Sequence, residues 1–332
     1  MSEHLRRRTR PLIGAALLAA LAWWYPVEAF TDAFVSLDGR TLFAASAIGL
    51  VTTVLCAARW ILVARGVGLH LPWVRAVGDY YRAILLNAVL PSGILGDVHR
   101  ALGHGRYAGD LPRGVRAVVL ERAAGQVVLA ATGAILLFTL PAALLGPGLL
   151  TVAASLALPA LVAAAVGAGL LFTRRHHTRR RHALAAAIAD ARAGLFTATT
   201  GPGVLVSSVA ALAGHVTLFL VAAHATGVTA PLSTLVPLAV SALVAMSVPA
   251  GIGGWGPREA VAALTFGTAG LGSATGLTVS VLYGLLALVA ALPGVVVLLW
   301  RLRPVEHVQI PGEGLGQGRQ QVTPLVRRGA RR

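Results

Sequence analysis

The stretch PSGILGDVHR (Pro91–Arg100) interrupts an apolar run with a proline, two glycines and an acid followed by an arginine. PAGIGGWGPRE (Pro249–Glu259) interrupts a later run with two prolines, four glycines and an arginine followed by an acid. The two share the pattern P-x-G-I-x-G, and each break is closely followed by an arginine beside a carboxylate. One chain therefore breaks its hydrophobic pattern twice in the same way, and the meaning of those breaks decides the fold.

The surrounding composition sets the solvent. Of 332 residues, 56% are hydrophobic and only 12% are charged, against about 25% in an average soluble domain. Apolar runs recur at 12–24, 42–58, 127–140, 149–172, 204–223, 232–248 and 277–300, and several approach the ~20 residues that cross a bilayer as a helix. The fold class expected is an all-α polytopic integral membrane protein. The net charge of +16 comes wholly from arginine, clustered beside apolar runs at Arg6–Arg10, at Arg174–Arg181 and in the tail. Such clusters mark cytoplasmic loops and attract anionic lipid, which argues against nucleic acid as a partner. Cys56 stands alone, so no internal disulfide can form.

Charge placement also orders the chain. Residues 11–27, preceded by arginines and ended by an aromatic WWYP, read as a retained signal-anchor running outward. The loop with Glu28, Asp32 and Asp38 is then external, residues 41–63 return, and Arg59, Arg65 and Arg75 mark the inner face. Were 76–98 a span, Arg100, Arg106, Arg113 and Arg116 would lie outside, against the positive-inside rule. A re-entrant hairpin over 76–102, broken at Pro91, Gly93 and Gly96, removes the conflict. Residues 117–140, 147–172, 203–226 and 275–300 are further spans. The segment 231–272, broken at Pro249, Gly251, Gly254 and Gly256, forms a second hairpin entering from the opposite face.

The expectation is six full spans and two opposed hairpins, with repeat halves at about 41–140 and 203–300. Opposed units of this kind make an inverted-topology repeat, an architecture of transporters. Chance recurrence in a chain with 38 glycines and 17 prolines is the competing reading. Residues 1–10 read as a basic cytoplasmic N-terminus, 11–302 as the transmembrane domain and 303–332 as a disordered basic cytoplasmic tail. No soluble catalytic domain is expected.

Backbone broken at membrane depth must be buried by protein or line a wet cavity, and helix N-termini there attract anions. Asp97 is expected to cap the returning helix of the first hairpin. Pro257 suits a first helical position, with Glu259 in the acidic first turn. Arg100 and Arg258 are cations near positive helix ends, so each reads as an anion ligand or as the local partner of Asp97 or Glu259. In the following helix Arg122, Gln126 and Gly133 share one face. Arg122 needs a partner, for which Glu121 is the neighbour, or else it snorkels to the inner face. Asn87 lies one turn before Pro91 and suits the backbone groups freed there. Tyr80, Tyr81 and Arg82 read as interfacial.

His215 and His224, nine residues apart, face opposite ways and make no metal pair. Metal sites, cofactors, a P-loop and a nucleophile triad are not expected, and GIGGWG lacks the βαβ setting of a dinucleotide site.

These motifs resemble those of the lysylphosphatidylglycerol synthase membrane-domain (flippase-like) family. NAVLPSGILGDVHR is similar to its N-x-x-x-P…G-G-[DE]-x-x-R segment, VVLERAAGQVVL to its E-R helix and VPAGIGGWGPREA to its P-G-G-x-G-x-R-E signature. One departure is Leu95-Gly96 where the family has Gly-Gly. The resemblance spans roughly 10–302. It implies a multi-pass cell (inner) membrane protein with cytoplasmic termini that moves a lipid between leaflets, as a stand-alone member without the synthase domain.

The resemblance designates Asn87, Pro91, Gly96, Asp97, Arg100, Glu121, Arg122, Gly254, Gly256, Arg258 and Glu259 as family-type positions. The function expected is a lipid flippase for an anionic phospholipid or polyprenyl-phosphate-type lipid. Its partners would be membrane lipids, whose headgroup Arg100, Arg122 and Arg258 would hold with the helix N-termini. The alternatives are a secondary transporter of a small anionic or amphiphilic solute, with Glu121 or Glu259 as proton carrier, or a membrane partner subunit of a separate transferase. An enzyme in its own right is the least expected class.

Overall fold

A computed structural model describes residues 27–90, 93–139, 177–247 and 255–301. The expected spans 11–27 and 147–172, the N-terminus, the tail and the break residues Pro91, Pro249, Gly251 and Gly254 lie outside or almost wholly outside these residues. All the regular elements described are helices: α1 Val27–Val35, α2 Gly39–Gly66, α3 Trp73–Val89, α4 Leu95–Ala108, α5 Leu111–Thr139, α6 His177–Leu195, α7 Gly201–Ala225, α8 Leu232–Met246, α9 Pro257–Thr268, α10 Ser273–Ala291 and α11 Pro293–Arg301.

Among the described residues, four segments are long and apolar enough to cross a membrane: Gly39–Gly66, Leu111–Leu136, Gly201–Ala225 and Ser273–Leu299. At 1.5 Å per residue, the 28 residues of α2 extend about 42 Å. The 12 residues of α9 extend only about 18 Å, short of a ~30 Å hydrocarbon core. The described residues thus form an all-helical membrane fold in which long helices are separated by pairs of short ones. The short pairs begin and end wider than the sequence suggests in the first half, since α3 starts at Trp73 and α4 runs to Ala108. Helix α1 falls where the acidic loop was expected.

Local chemistry explains the ends. Asp38 caps α2 by accepting the Thr41 N–H at 2.7 Å, while Thr41 Oγ1 accepts the Asp38 N–H at 3.1 Å, a reciprocal capping box. Pro257 occupies the first turn of α9, and Glu259 accepts the Gly256 N–H at 2.7 Å, as its sequence position predicts. Both breaks use a glycine with positive φ, Gly93 at 63° and Gly256 at 109°, where a side chain would be strained. Gly96 serves a different purpose from the one expected. It is helical, within α4, and a Cβ there would run into the Ala83 backbone, so it permits close packing of α4 on α3.

The packing repeats. Helices α2, α3, α4 and α5 form one set and α7, α8, α9 and α10 a second. The pairs α2–α3, α3–α4, α4–α5 and α2–α5 are matched by α7–α8, α8–α9, α9–α10 and α7–α10. Across the sets, α5 against α7 and α8 is matched by α10 against α2 and α3. The lead helices α2 and α7 lie against each other. Along that seam Gly214 meets Thr52, Ser208 meets Arg59 and Gly203 meets Leu62, so the two run antiparallel. Each set has its own core. Trp60, Ile61, Ala76, Tyr80, Ala117 and Val118 anchor the first, and Phe219, Leu238, Leu243, Phe266, Leu282 and Leu286 the second.

Candidate functional site

Charged side chains inside an apolar helical protein must find partners: Asp79 pairs with Arg82 and Arg75 within α3, and the sequence-chosen residues form two further clusters. In the first, Glu121 of α5 is fully buried. Its Oε1 accepts from Arg59 Nε at 2.9 Å and Nη2 at 2.5 Å, and from the Tyr80 hydroxyl at 3.2 Å. Its Oε2 pairs with Arg100 Nη2. Arg100 Nε also donates to Asp97 at 2.7 Å, and Arg122 Nη2 lies 2.5 Å from the other Asp97 oxygen. Asn87 bridges the break, donating to Asp97 at 2.9 Å and accepting the Gly96 N–H at 2.8 Å. The Arg100 guanidinium sits 4.7 Å from the Trp60 ring and 4.5 Å from the Tyr80 ring, a cation–π sandwich.

Among the described residues this cluster gathers three guanidiniums against two carboxylates, an excess of one positive charge. Arg100 Nη1 is buried without a hydrogen-bond partner. Arg122 differs from its companions because its side chain is 39% exposed. That exposure is inward. Along α5 the outward face runs through Val127, Ala131 and Ile135, all exposed, and Ala131 lies about 180° from Arg122 at 100° per residue. A side chain on the interior face that still meets solvent lines an internal opening.

The second cluster is closed. Arg258 is 1% exposed and pairs with Glu259, itself fully buried. Arg258 Nε also donates to Ser280 at 3.0 Å, and Ser280 donates to Glu259 at 3.2 Å. The guanidinium lies 4.9 Å from the Trp255 ring and 5.0 Å from the Tyr283 ring. A Cβ on Gly284 would stand 2.6 Å from Arg258 Nη2, so only glycine lets α10 pass so close. Gly125 does the same for Arg59 on α5, at 2.9 Å.

The sequence-chosen residues thus divide. Asn87, Asp97, Arg100, Glu121 and Arg122 come together in one cluster, and Arg258 and Glu259 form the other. The local pairings Asp97–Arg100 and Arg258–Glu259 are present. Four placements differ from expectation. Asp97 is not the cap of α4, a place taken by Ile94. It lies in the first turn and serves the arginines. Glu121 is not the ion partner of Arg122: adjacent helical residues point about 100° apart, so Glu121 faces Arg59 and Arg100 while Arg122 reaches Asp97. Tyr80 is buried in the ion network. Arg59 was read as an inner-face marker and is instead a buried member of the cluster. Its signal was an uncompensated arginine a full turn or more inside an apolar run, CAARWILVARG. Ser280 gave no signal at all.

No curated protein and no solved structure matches the chain. A family model described as the lysylphosphatidylglycerol synthase TM region matches residues 12–294, which include both helix sets and both ion clusters. The chain belongs to the lysylphosphatidylglycerol synthase transmembrane-region family.

Proposed function

We propose that this protein is a lipid translocase that passes an anionic lipid headgroup through an opening beside Arg122, while the acyl chains remain in the bilayer. The carrying observation is the partly exposed Arg122 on the inward face of α5, a member of a cluster whose three guanidiniums meet only two carboxylates. In a low-dielectric setting an unbalanced guanidinium group is costly, and a phosphate there converts the cost into a charge-assisted, forked contact.

In this reading α3–α4 and α8–α9 are re-entrant hairpins entering from opposite membrane faces. Their shortness and the antiparallel lead helices support that inverted arrangement. Both termini lie in the cytoplasm. The deep pairing of Glu121 and Glu259 with arginines favours their role as fixed counter-ions over that of proton carriers. The roles divide accordingly: Arg122 contacts the headgroup, Asp97 and Asn87 orient it, and Arg100, Arg258 and their carboxylates hold the two hairpins in place. Nothing in this cycle calls for a catalytic step or a cofactor.

The test is translocation of a fluorescent anionic phospholipid in proteoliposomes, followed by quenching of the outer leaflet. Arg122→Gln is expected to slow it about tenfold or more, the worth of one charge-assisted hydrogen bond, and Arg122→Lys to slow it less. Wild-type rates in Arg122→Gln would refute the assignment. Uptake of a small anion that a protonophore abolishes, with lipid distribution unchanged, would favour a secondary transporter. Lipid movement only with a co-purifying transferase would favour the partner-subunit reading.

A further inference from the structure

Helix α7 carries one residue that breaks its own pattern. Its inner face, Val204, Ser208, Ala211, Leu218 and Ala222, is buried throughout. His215 lies on that same face, about 20° from Ser208 at 100° per residue, and is nonetheless exposed. Val206, nine residues earlier and so about 180° away, is 66% exposed on the outer face. The solvent that reaches His215 therefore reaches it from within the helix bundle. Arg122 of the first helix set shares this behaviour. Arg59 and Arg122 are the cations within electrostatic reach of the imidazole.

The ring is held in place. Tyr283 of α10 is 1% exposed, and its hydroxyl lies 3.3 Å from His215 Nδ1. Tyr283 is itself packed 5.6 Å from the Phe219 ring and beneath Arg258. With Nδ1 engaged by the tyrosine, Nε2 is the remaining polar atom of the ring. When the hydroxyl donates to Nδ1, Nε2 carries a proton and becomes a neutral donor.

We propose that His215 is a headgroup-contacting residue, supplied by the second helix set to the same opening that Arg122 lines from the first. The proposal rests on the translocase reading above. It adds that the site is built from both halves: Arg122 provides the charge, and His215, oriented by Tyr283, provides a neutral hydrogen-bond donor to an oxygen of the same headgroup. Tyr283 is a positioning residue. It connects the opening to the closed Arg258 cluster, because the one phenol touches both.

The experiment uses the full chain in vesicles with fluorescent phosphatidylglycerol as probe, with thermal stabilisation by added short-chain phosphatidylglycerol in detergent as a second readout. His215→Leu is expected to slow translocation about tenfold, as for loss of one hydrogen bond to a charged group, and to lose most of the lipid-induced stabilisation. His215→Gln, which keeps a donor, should retain more of both, and Tyr283→Phe should fall between. His215→Leu also frees the buried Tyr283 hydroxyl, so the lipid-induced shift is read against each variant's own unliganded melting temperature, and His215→Gln, which can keep that contact, serves as the control.

Wild-type translocation and stabilisation in His215→Leu, with Arg122→Gln defective, would overturn the role of His215 and leave the translocase reading standing. Absence of lipid movement in the wild type would overturn that reading. The stabilisation assay then still decides His215, because equal shifts in wild type and His215→Leu would overturn its contact with the lipid.

Discussion

The two ion clusters are built alike and finished differently. Each places a fully buried arginine from the second short helix of a set between two aromatic rings, Trp60 and Tyr80 for Arg100 and Trp255 and Tyr283 for Arg258. Each closes against a long helix that offers a polar residue and, four positions on, a glycine: Glu121 and Gly125 on α5, Ser280 and Gly284 on α10. In the second set the account closes with one guanidinium, one carboxylate and one hydroxyl. In the first, two additional arginines enter, only one additional carboxylate answers them, and one of the three arginines is wet. Similar packing can thus yield a sealed joint on one side and an unsatisfied, reachable cation on the other.

Removing the central carboxylates tests that asymmetry most strongly. Breaking a buried pair costs about 3–5 kcal/mol. Glu121→Gln removes the one carboxylate of Arg59 and one of the two that Arg100 meets, and should lie near the top of that range, while Glu259→Gln takes the carboxylate from Arg258 alone and should lie near the bottom. Thermal unfolding in detergent compares them, and equal losses would mean that the clusters are equivalent after all. Next comes overpacking. Gly284→Ala drives a methyl into Arg258 and Trp255 in a site with no room to yield and should cost about 1–3 kcal/mol. Gly125→Ala meets Arg59, whose cluster borders an opening, so its loss of melting temperature should be smaller.

Asn87→Ala removes the bridge across the first break and should cost about 1–3 kcal/mol for the stranded Gly96 N–H and the lost Asp97 contact. The second set, whose break is tied by Glu259, should be untouched when followed by hydrogen exchange. The smallest effect belongs to Asp38, outside the membrane-spanning segments. The Thr41 N–H and hydroxyl hold its carboxyl below the ordinary carboxylate value. Its folded value being depressed, the cap's contribution is full above the unfolded value and fades as pH falls through the lower folded one. Faster exchange of the first-turn amides of α2 at such pH, with α7 unchanged, would show it.

What the sequence could tell depended on distance along the chain. Pro257 and Glu259 announce the start of α9 because capping is settled within four residues. Asn87 could be matched to the break for the same reason, since its partners Gly96 and Asp97 lie nine and ten residues on. The two pairs of short helices were legible from the Pro-Gly breaks that divide them, because a break in an apolar run is a local signal. The ion partners were not. Arg59 and Glu121 are 62 residues apart, and the tempting neighbour of Glu121, Arg122, points elsewhere on the helix. His215 shows the same limit from the other side: periodicity assigns it to the inner face, but only packing reveals that the inner face is open there.

The seam between α2 and α7 has a mechanical consequence. Gly203 and Gly214 of α7 sit against Leu62 and Thr52 of α2, so that an added Cβ at either would meet a neighbouring atom, and Gly49 of α2 is packed as closely on Ala290 of α10. Small residues of this kind bring backbones together in membranes, and surfaces so closely fitted resist sliding, since any translation drives a side chain into main chain. The seam that joins the halves therefore resists sliding along its length. In the translocase reading proposed above, a headgroup held between Arg122 and His215 would sit beside this seam.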